Sequence, residues 1–97
     1  MGITITELKQ EEIDQMMDDL HREARIMGFP SLEAYNEWKF HASEGLQRFG
    51  GSFSELIGRA MCHADSKNLL KLVLTFKDML AEHADLYREY LAGQQSA

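Results

Sequence analysis

Residues 65–91 decide the fold, and they read DSKNLLKLVLTFKDMLAEHADLYREYL. Their apolar residues recur in alternating steps of three and four, which places them on one face of a helix. The residues of this stripe are Leu69, Val73, Phe76, Leu80, Ala84, Tyr87 and Leu91. Asp65 is suited to cap the start of the helix, and Gly93 follows its end. The rest of the chain is expected to form shorter helices that cover this long C-terminal helix.

The length of this helix raises a question of coverage. A continuous helix of about 26 residues would be roughly 39 Å long, whereas a compact domain of this size is only a little over 30 Å across. The helix must either break near Lys77-Asp78 and pack back, or stay whole and be covered by another chain. Its first half carries extra apolar residues outside the stripe, including Leu70, Leu72 and Leu74. These favour the second outcome, so we expect a homodimer with these three leucines at the dimer or partner interface.

Three shorter helices are predicted before residue 65. The first begins at about Thr6 or Gln10 and ends at Met27, the second spans residues 32–49, and the third spans residues 53–63. Gly28 should end the first helix, and Ser31 should cap the second. Ser52 and Glu55 have the spacing of a capping box at the start of the third. Gly45 lies beside the apolar stripe of the second helix, where a neighbouring helix can approach closely.

The two ends of the chain carry no helical pattern. Ile3-Thr-Ile-Thr6 alternates β-branched apolar and polar residues, which predicts an extended arm or a strand paired with another copy. We favour the arm, over residues 1–6, and expect residues 94–97 to be a disordered tail. The predicted fold is therefore all-α, a four- to five-helix bundle with a long C-terminal helix and an extended N-terminal arm. It forms a single helical domain over residues 1–97.

The acidic charge is concentrated in the first helix. The net charge is -6, and residues 1–30 hold seven acids and three bases. The apolar stripe of this helix consists of Ile13, Met16, Met17, Leu20, Ala24 and Met27. The opposite face carries Glu11, Glu12, Asp14, Asp18, Asp19 and Glu23. This density exceeds what the helix macrodipole favours. Such a run is usually a solvated face, and a partner-binding acidic face is the functional alternative that we carry forward.

Two further apolar residues lie off the stripes of their helices. Ile26 points away from the stripe of the first helix, and Phe40 points away from that of the second. Isolated exposed apolar residues are common on protein surfaces, but two of them are a mild indication of a second contact surface. We therefore assign Ile26 and Phe40 to the dimer or partner interface together with the three leucines.

No motif in the sequence indicates catalysis, a metal or a cofactor. Pairs such as Asp18 with His21 and Glu37 with His41 have helical spacing, but they lack the recurrence of zinc or di-iron sites. Nucleotide-binding and nucleophile motifs are absent, so we expect no enzyme, no metal and no cofactor. The single cysteine excludes an intramolecular disulfide and favours a reducing, cytoplasmic location. We expect no membrane partner, since no apolar run approaches about 20 residues.

The segment from Phe53 to Tyr87 resembles a pattern found in small α-helical phage and prophage proteins. The residues that carry the resemblance are Ala64-Asp65-Ser66, Asn68, Lys71-Leu72 and Phe76. The resemblance implies an accessory or inhibitory protein that acts by binding a host or phage component, and it implies no catalytic residue. The leading interpretation is accordingly a non-enzymatic protein–protein interaction module of unknown partner.

A second resemblance supplies the alternative function. Ile3-Thr-Ile-Thr6, the helix after it and the segment from Gly28 to Tyr35 are similar to the ribbon-helix-helix DNA-binding fold. That resemblance implies a dimeric transcriptional regulator whose paired strands place Thr4 and Thr6 in the major groove. Nucleic acid is nevertheless the disfavoured partner on charge, because no run of Lys and Arg forms a basic face.

Overall fold

Five α-helices follow one another in the computed structural model, which describes residues 5–96, with side chains from residue 10 to residue 95. They are α1 (Ile5–Ile26), α2 (Leu32–Phe49), α3 (Ser52–His63), α4 (Ser66–Thr75) and α5 (Lys77–Ser96). No strand occurs within this range. The all-α prediction is confirmed, and the number of helices is the larger of the two expected. The chain divides into two compact units, one ending at Asn36 within α2 and the other beginning at Glu37.

In the first unit, Gly28 ends α1 as predicted. Its φ of 87° lies in the left-handed region, which a side chain would disfavour. The Gly28 N–H donates to the Arg25 carbonyl at 3.0 Å, and the Phe29 N–H donates to the Ala24 carbonyl at 2.9 Å. This pair of hydrogen bonds is the Schellman motif, which satisfies the last carbonyls of a helix. The chain can therefore turn immediately into α2.

Tyr35 is the largest fully buried side chain at the start of α2. Its hydroxyl donates to Glu23 at 2.6 Å, and its ring lies 5.1 Å from that of Phe29. Burial and then the Glu23 hydrogen bond raise the pKa of Tyr35 well above its usual range, because both disfavour the phenolate. The predicted Ser31 cap is confirmed, since the Ser31 hydroxyl accepts from the Ala34 N–H at 3.1 Å.

In the second unit, α2 and α5 lie in close backbone contact at Gly45. A Cβ added at Gly45 would lie 2.7 Å from the carbonyl carbon of His83 and closer still to the carbonyl oxygen. The prediction that a neighbouring helix approaches at Gly45 is thus confirmed, and the neighbour is α5. Around this crossing the core contains apolar residues of all four helices, namely Ala42, Leu46, Ile57, Met61, Val73, Leu80, Ala84 and Tyr87.

The helices α2 and α3 also pack closely, at Gly58. A Cβ on Gly58 would lie 2.9 Å from the Ser43 carbonyl oxygen and 3.0 Å from the Leu46 Cβ. The buried Ser43 hydroxyl donates to the Gly58 carbonyl at 3.1 Å, across the helix pair. A small residue on α3 therefore allows its backbone to lie against α2, and the serine hydroxyl is satisfied without water.

Of the two outcomes expected for the C-terminal helix, the structure shows the break, at Phe76, rather than the favoured continuous helix. That residue has φ −113° and ψ 27°, and it separates α4 from α5 one position before the predicted Lys77. The Phe76 ring lies 5.7 Å from that of Phe53 on α3, at 68°. Two pieces of about 15 and 30 Å can each be covered by a small domain, whereas a straight helix of roughly 39 Å could not. The length of the C-terminal helix therefore no longer favours a homodimer, and the homodimer stays a prediction.

Three local predictions at element ends differ from the structure. The capping box is wrong: Gly51 holds the N-cap position of α3 with no side-chain cap, so Ser52 is already inside the helix. The predicted arm is partly helical, since α1 begins at Ile5, while residues 1–4 lie outside the described residues. At the other end α5 continues to Ser96, where a disordered tail was predicted.

Candidate functional site

A row of aromatic rings and one arginine lies across α2 and α5 on the second unit. We call it the aromatic–arginine surface, and its residues are Phe40, His41, Arg48 and Phe49 of α2 with Tyr87 and Tyr90 of α5. Phe40 and Phe49 stand at its two ends and are 56% and 45% exposed. Of the two tyrosines in the row, Tyr87 is buried and Tyr90 is half-buried. The surface is therefore anchored in the core and open to solvent along its outer edge.

The rings contact one another in sequence along this surface. Phe40 meets Tyr87 edge-on, with centroids 6.3 Å apart and planes at 86°. Tyr87 stacks on Tyr90 at 6.0 Å, and Tyr90 meets Phe49 edge-on at 5.5 Å. His41 lies 5.5 Å from Tyr87 on the inner side. Offset and edge-to-face pairs at these distances attract beyond their area burial, so each ring holds the orientation of its neighbours.

Arg48 covers the two tyrosines and is held by three kinds of contact. Its guanidinium lies 5.7 Å from the Tyr87 centroid and 5.4 Å from that of Tyr90. Its Nε donates to Glu44 at 3.3 Å, and one terminal nitrogen donates to the Tyr90 hydroxyl at 3.4 Å. The hydrogen bond to Glu44 raises the pKa of Arg48, so the side chain carries its charge at any physiological pH. The cation is thus held over the two rings by contacts within the protein itself.

The tyrosine hydroxyl at the centre has a second donor on α5. Gln94 Nε2 donates to the Tyr90 hydroxyl at 2.7 Å, so this oxygen accepts from both Gln94 and Arg48. Neither of these two bonds uses the proton of the hydroxyl itself, which can be offered to an incoming acceptor. The aromatic–arginine surface therefore combines apolar ring area, a fixed cation and a hydroxyl donor in one place.

The sequence identified only part of this surface. Phe40 was assigned to an interface because it lies off the stripe of its helix, and its exposure agrees with that position. Arg48, Phe49 and Tyr90 were not assigned to any interface. They could have been identified only from the register of α2 against α5. This register brings Arg48 to Tyr90, 42 positions later in the chain.

The predicted acidic face of α1 is exposed over most of its length. Its members Glu11, Glu12, Asp14, Asp18 and Asp19 are all exposed. The sixth member, Glu23, is half-buried and accepts the hydrogen bond of Tyr35, so it contributes to the fold of the first unit. Whether the exposed five bind a partner stays a prediction.

The apolar stripe of α1 is buried only at its C-terminal end. Ala24 is buried, and Leu20 and Met27 are half-buried. Ile13, Met16 and Met17 are exposed, although the stripe pattern is typical of residues that pack in a core. An uncovered apolar face and an acidic face therefore occur on the same segment of α1.

The other predicted interface residues are dispersed rather than gathered into one patch. Ile26 and Leu74 are exposed, whereas Leu70 and Leu72 are half-buried. Leu72 lines an open groove of about 440 Å³ between α3 and α4. The lining residues of this groove are Ala60, His63, Ala64, Asn68, Lys71, Leu72 and Thr75. The groove is shallow and mostly apolar.

The contacts of Cys62 and His41 are with neighbouring packed side chains. Within the described part of the chain, no three His, Cys, Asp or Glu side chains lie close enough together to hold a metal ion. The Cys62 sulfur lies 3.3 Å from the Ser43 hydroxyl and 3.5 Å from Gln47 Nε2. His41 lies 3.8 Å from Glu37 and is otherwise enclosed by rings. These contacts fit helix packing.

Comparison with known proteins identifies no relative, so the function has to be inferred from the side chains. No protein-family model, no curated protein and no solved structure shows a significant match to this chain. Between residues 5 and 96, no helix has the length and apolar character needed to cross a bilayer.

Proposed function

We propose that this protein is a non-enzymatic protein–protein interaction module that binds its partner through the aromatic–arginine surface. The observation that carries the proposal is the contiguous, partly exposed row from Phe40 through Tyr90 to Phe49, with Arg48 over it. Aromatic residues and arginine are enriched at the centres of protein interfaces. They also dominate the small number of positions whose truncation costs most of the binding energy.

The order of the surface strengthens this proposal. Binding normally costs about 0.5–1.5 kcal/mol for each flexible side chain that must be immobilised. Here Arg48 is held by Glu44 and the rings, and Tyr90 is held by Arg48 and Gln94. A partner would therefore meet side chains whose rotamers are already restricted, which lowers the entropy cost of contact.

The partner surface is defined by these side chains. We expect the partner to present apolar pockets or rings to Phe40 and Phe49, since each of these side chains is largely exposed to solvent. Arg48 and the Tyr90 hydroxyl call for a carboxylate or carbonyl oxygen between them, because both are donors. Removing one central ring of such a contact typically weakens binding by at least 2 kcal/mol, which is about thirtyfold in Kd.

A co-purification experiment tests the proposal. Tagged wild-type protein is expressed in the cells that carry its gene and compared with Phe40→Ala/Tyr90→Ala and with Leu56→Ala. Leu56 is a matched control, since it is 60% exposed on α3 and does not belong to the surface. We expect at least one protein to co-purify with the wild type and the control but not with the double variant.

The narrower predictions rest on the sequence. The phage-type accessory or inhibitory role is supported by the resemblance over residues 53–87, and the cytoplasmic location by cysteine usage. The ribbon-helix-helix alternative also stays a prediction, although Ile5 and Thr6 of its strand segment lie in α1. A duplex-binding assay at several salt concentrations tests it, because phosphate contacts weaken steeply with salt.

A further inference from the structure

The exposed apolar face of α1 is a second surface with its own chemistry. Ile13, Met16 and Met17 are 51%, 57% and 43% exposed, and half-buried Leu20 continues the same face. These positions follow the i, i+3, i+4, i+7 spacing by which one amphipathic helix contacts another. Two of the three exposed side chains are methionines, whose unbranched thioethers adapt to varied apolar shapes.

Acidic residues line both sides of this apolar face. At about 100° per residue, Glu12 and Asp14 lie on opposite sides of Ile13. Asp19 continues the first side and Asp18 the second. Residues 10–20 contain five acids and neither lysine nor arginine. The nearest arginine, Arg22, lies 3.8 Å from Asp19 and opposite the apolar face.

We propose that this face of α1 binds a basic amphipathic helix of a partner protein. An apolar stripe on that helix would cover Ile13, Met16 and Met17, and Lys or Arg on its two flanks would meet the acids on both sides. The proposal rests on the proposed function and adds to it the chemical class of a partner and a second contact surface. Of the predicted acidic face, the proposal assigns partner contacts only to the acids that border the apolar residues. Glu11 is not among them, because it lies on the far side of the helix.

Charge decides between this occupant and the others that would cover an apolar face. A second copy of α1 would place acidic borders against acidic borders over residues 10–20, because that segment has no base to pair with them. An anionic membrane surface would be repelled for the same reason. A helix with basic flanks gains both the apolar contact and the charge contact, and its association is accelerated at low salt.

Designed peptides test the proposal on the full-length protein. The first probe is a helical peptide with Leu at heptad positions a and d and Lys at e and g. The second replaces each flanking Lys with Glu, and the third has the composition of the first in scrambled order. Binding of each fluorescent peptide is followed by anisotropy at low and at physiological salt. We expect the Lys-flanked peptide to bind roughly tenfold or more tightly than the other two, and to weaken as salt rises.

Protein variants locate the binding on α1. Ile13→Ser/Met16→Ser should weaken binding of the Lys-flanked peptide roughly tenfold, while Leu56→Ser, at a residue that is 60% exposed on α3, should change it less than about twofold. Both α1 positions are exposed, so the variants should keep the wild-type circular dichroism.

A second pair of variants separates specific charge contacts from general attraction to an acidic protein. Glu12→Lys/Asp14→Lys should abolish the preference for Lys over Glu flanks. Glu82→Lys/Glu89→Lys makes the same change in net charge on exposed residues of α5 and should leave that preference intact. Equal effects of the two pairs would overturn the proposal.

Two other results would also overturn the proposal. One is binding of the scrambled peptide as tight as that of the ordered one. The other is a dimer mass in sedimentation that Ile13→Ser/Met16→Ser reduces to a monomer, since the occupant would then be a second copy. None of these peptide results depends on Phe40 or Tyr90, so failure here is distinguishable from failure of the proposed function.

Discussion

Replacing Gly45 of α2 by alanine should destabilise the protein, and by more than the same replacement at Gly93 of α5. The new Cβ would lie 2.7 Å from the carbonyl carbon of His83 and 3.2 Å from its Cβ. Ordinary contacts between carbon atoms are about 3.5–4.0 Å, so α5 would have to move away by about 1 Å. Backbone atoms cannot rotate aside as a side chain can, and the shift would loosen the core between the two helices.

The magnitude follows from two opposing contributions. Overpacking a core usually costs 1–3 kcal/mol, and the contact with backbone places this case near the upper end, at about 3 kcal/mol. Alanine in place of glycine inside a helix contributes about 1 kcal/mol of helix propensity. The net loss is about 2 kcal/mol, which lowers Tm by roughly 8–16 °C for a chain of this length. The same displacement should also disturb the aromatic–arginine surface, since α2 and α5 supply its two sides.

Gly93→Ala is the matched control on α5. Gly93 is exposed and a Cβ there would meet nothing within 4 Å, so the substitution should stabilise the protein by up to about 1 kcal/mol. Urea unfolding followed by far-UV circular dichroism measures both variants against the wild type. If Gly45→Ala is as stable as Gly93→Ala, α2 and α5 do not approach each other as closely as described.

The remaining stability predictions concern a helix cap and a buried tyrosine. Asp65→Ala should cost about 1 kcal/mol, because it removes the acceptor 2.8 Å from the Asn68 N–H, whereas Ser52→Ala at an uncapped helix start should change urea unfolding by less than about 0.5 kcal/mol. Tyr35→Phe should lose about 1.5–3 kcal/mol at pH 7 with the hydrogen bond to Glu23. The folded state raises the pKa of Tyr35, so this stabilisation is complete below the unfolded pKa of about 10 and is lost as pH rises above it. The free energy of unfolding in urea should therefore differ less between the wild type and Tyr35→Phe as the pH rises above 10, by up to about 1.4 kcal/mol per pH unit. A difference that stays constant with pH would contradict the raised pKa of Tyr35.

Local signals in the sequence were sufficient where the structure depends on a few neighbouring residues. Gly28, Ser31 and Asp65 act through backbone geometry or a hydrogen bond within four positions, and each ends or begins its helix as predicted. The break at Phe76 has no such local signal, because the apolar stripe keeps its phase across it; only the length of the helix indicated a break, near Lys77-Asp78. At the break the Phe76 ring contacts Phe53, which is more than twenty positions away in the chain.

The same distinction applies to the candidate site. The acidic charge of α1 and the off-stripe position of Phe40 are visible in the sequence because each is a property of one helix. The contacts of Arg48 with Tyr87 and Tyr90 arise only when α2 and α5 are placed side by side. The glycine that permits this approach was visible, but the register that it fixes was not.

The most direct measurement of whether the aromatic–arginine surface binds a protein is quantitative co-purification from the native cell. Wild type, Phe40→Ala/Tyr90→Ala and Leu56→Ala are compared at equal expression, after circular dichroism shows equal helix content. The predicted result is a partner present in near-stoichiometric amount with the wild type and Leu56→Ala and depleted about thirtyfold or more with the double variant. The same set of proteins in equal amounts from all three, or no stoichiometric partner from any, would contradict the proposed function.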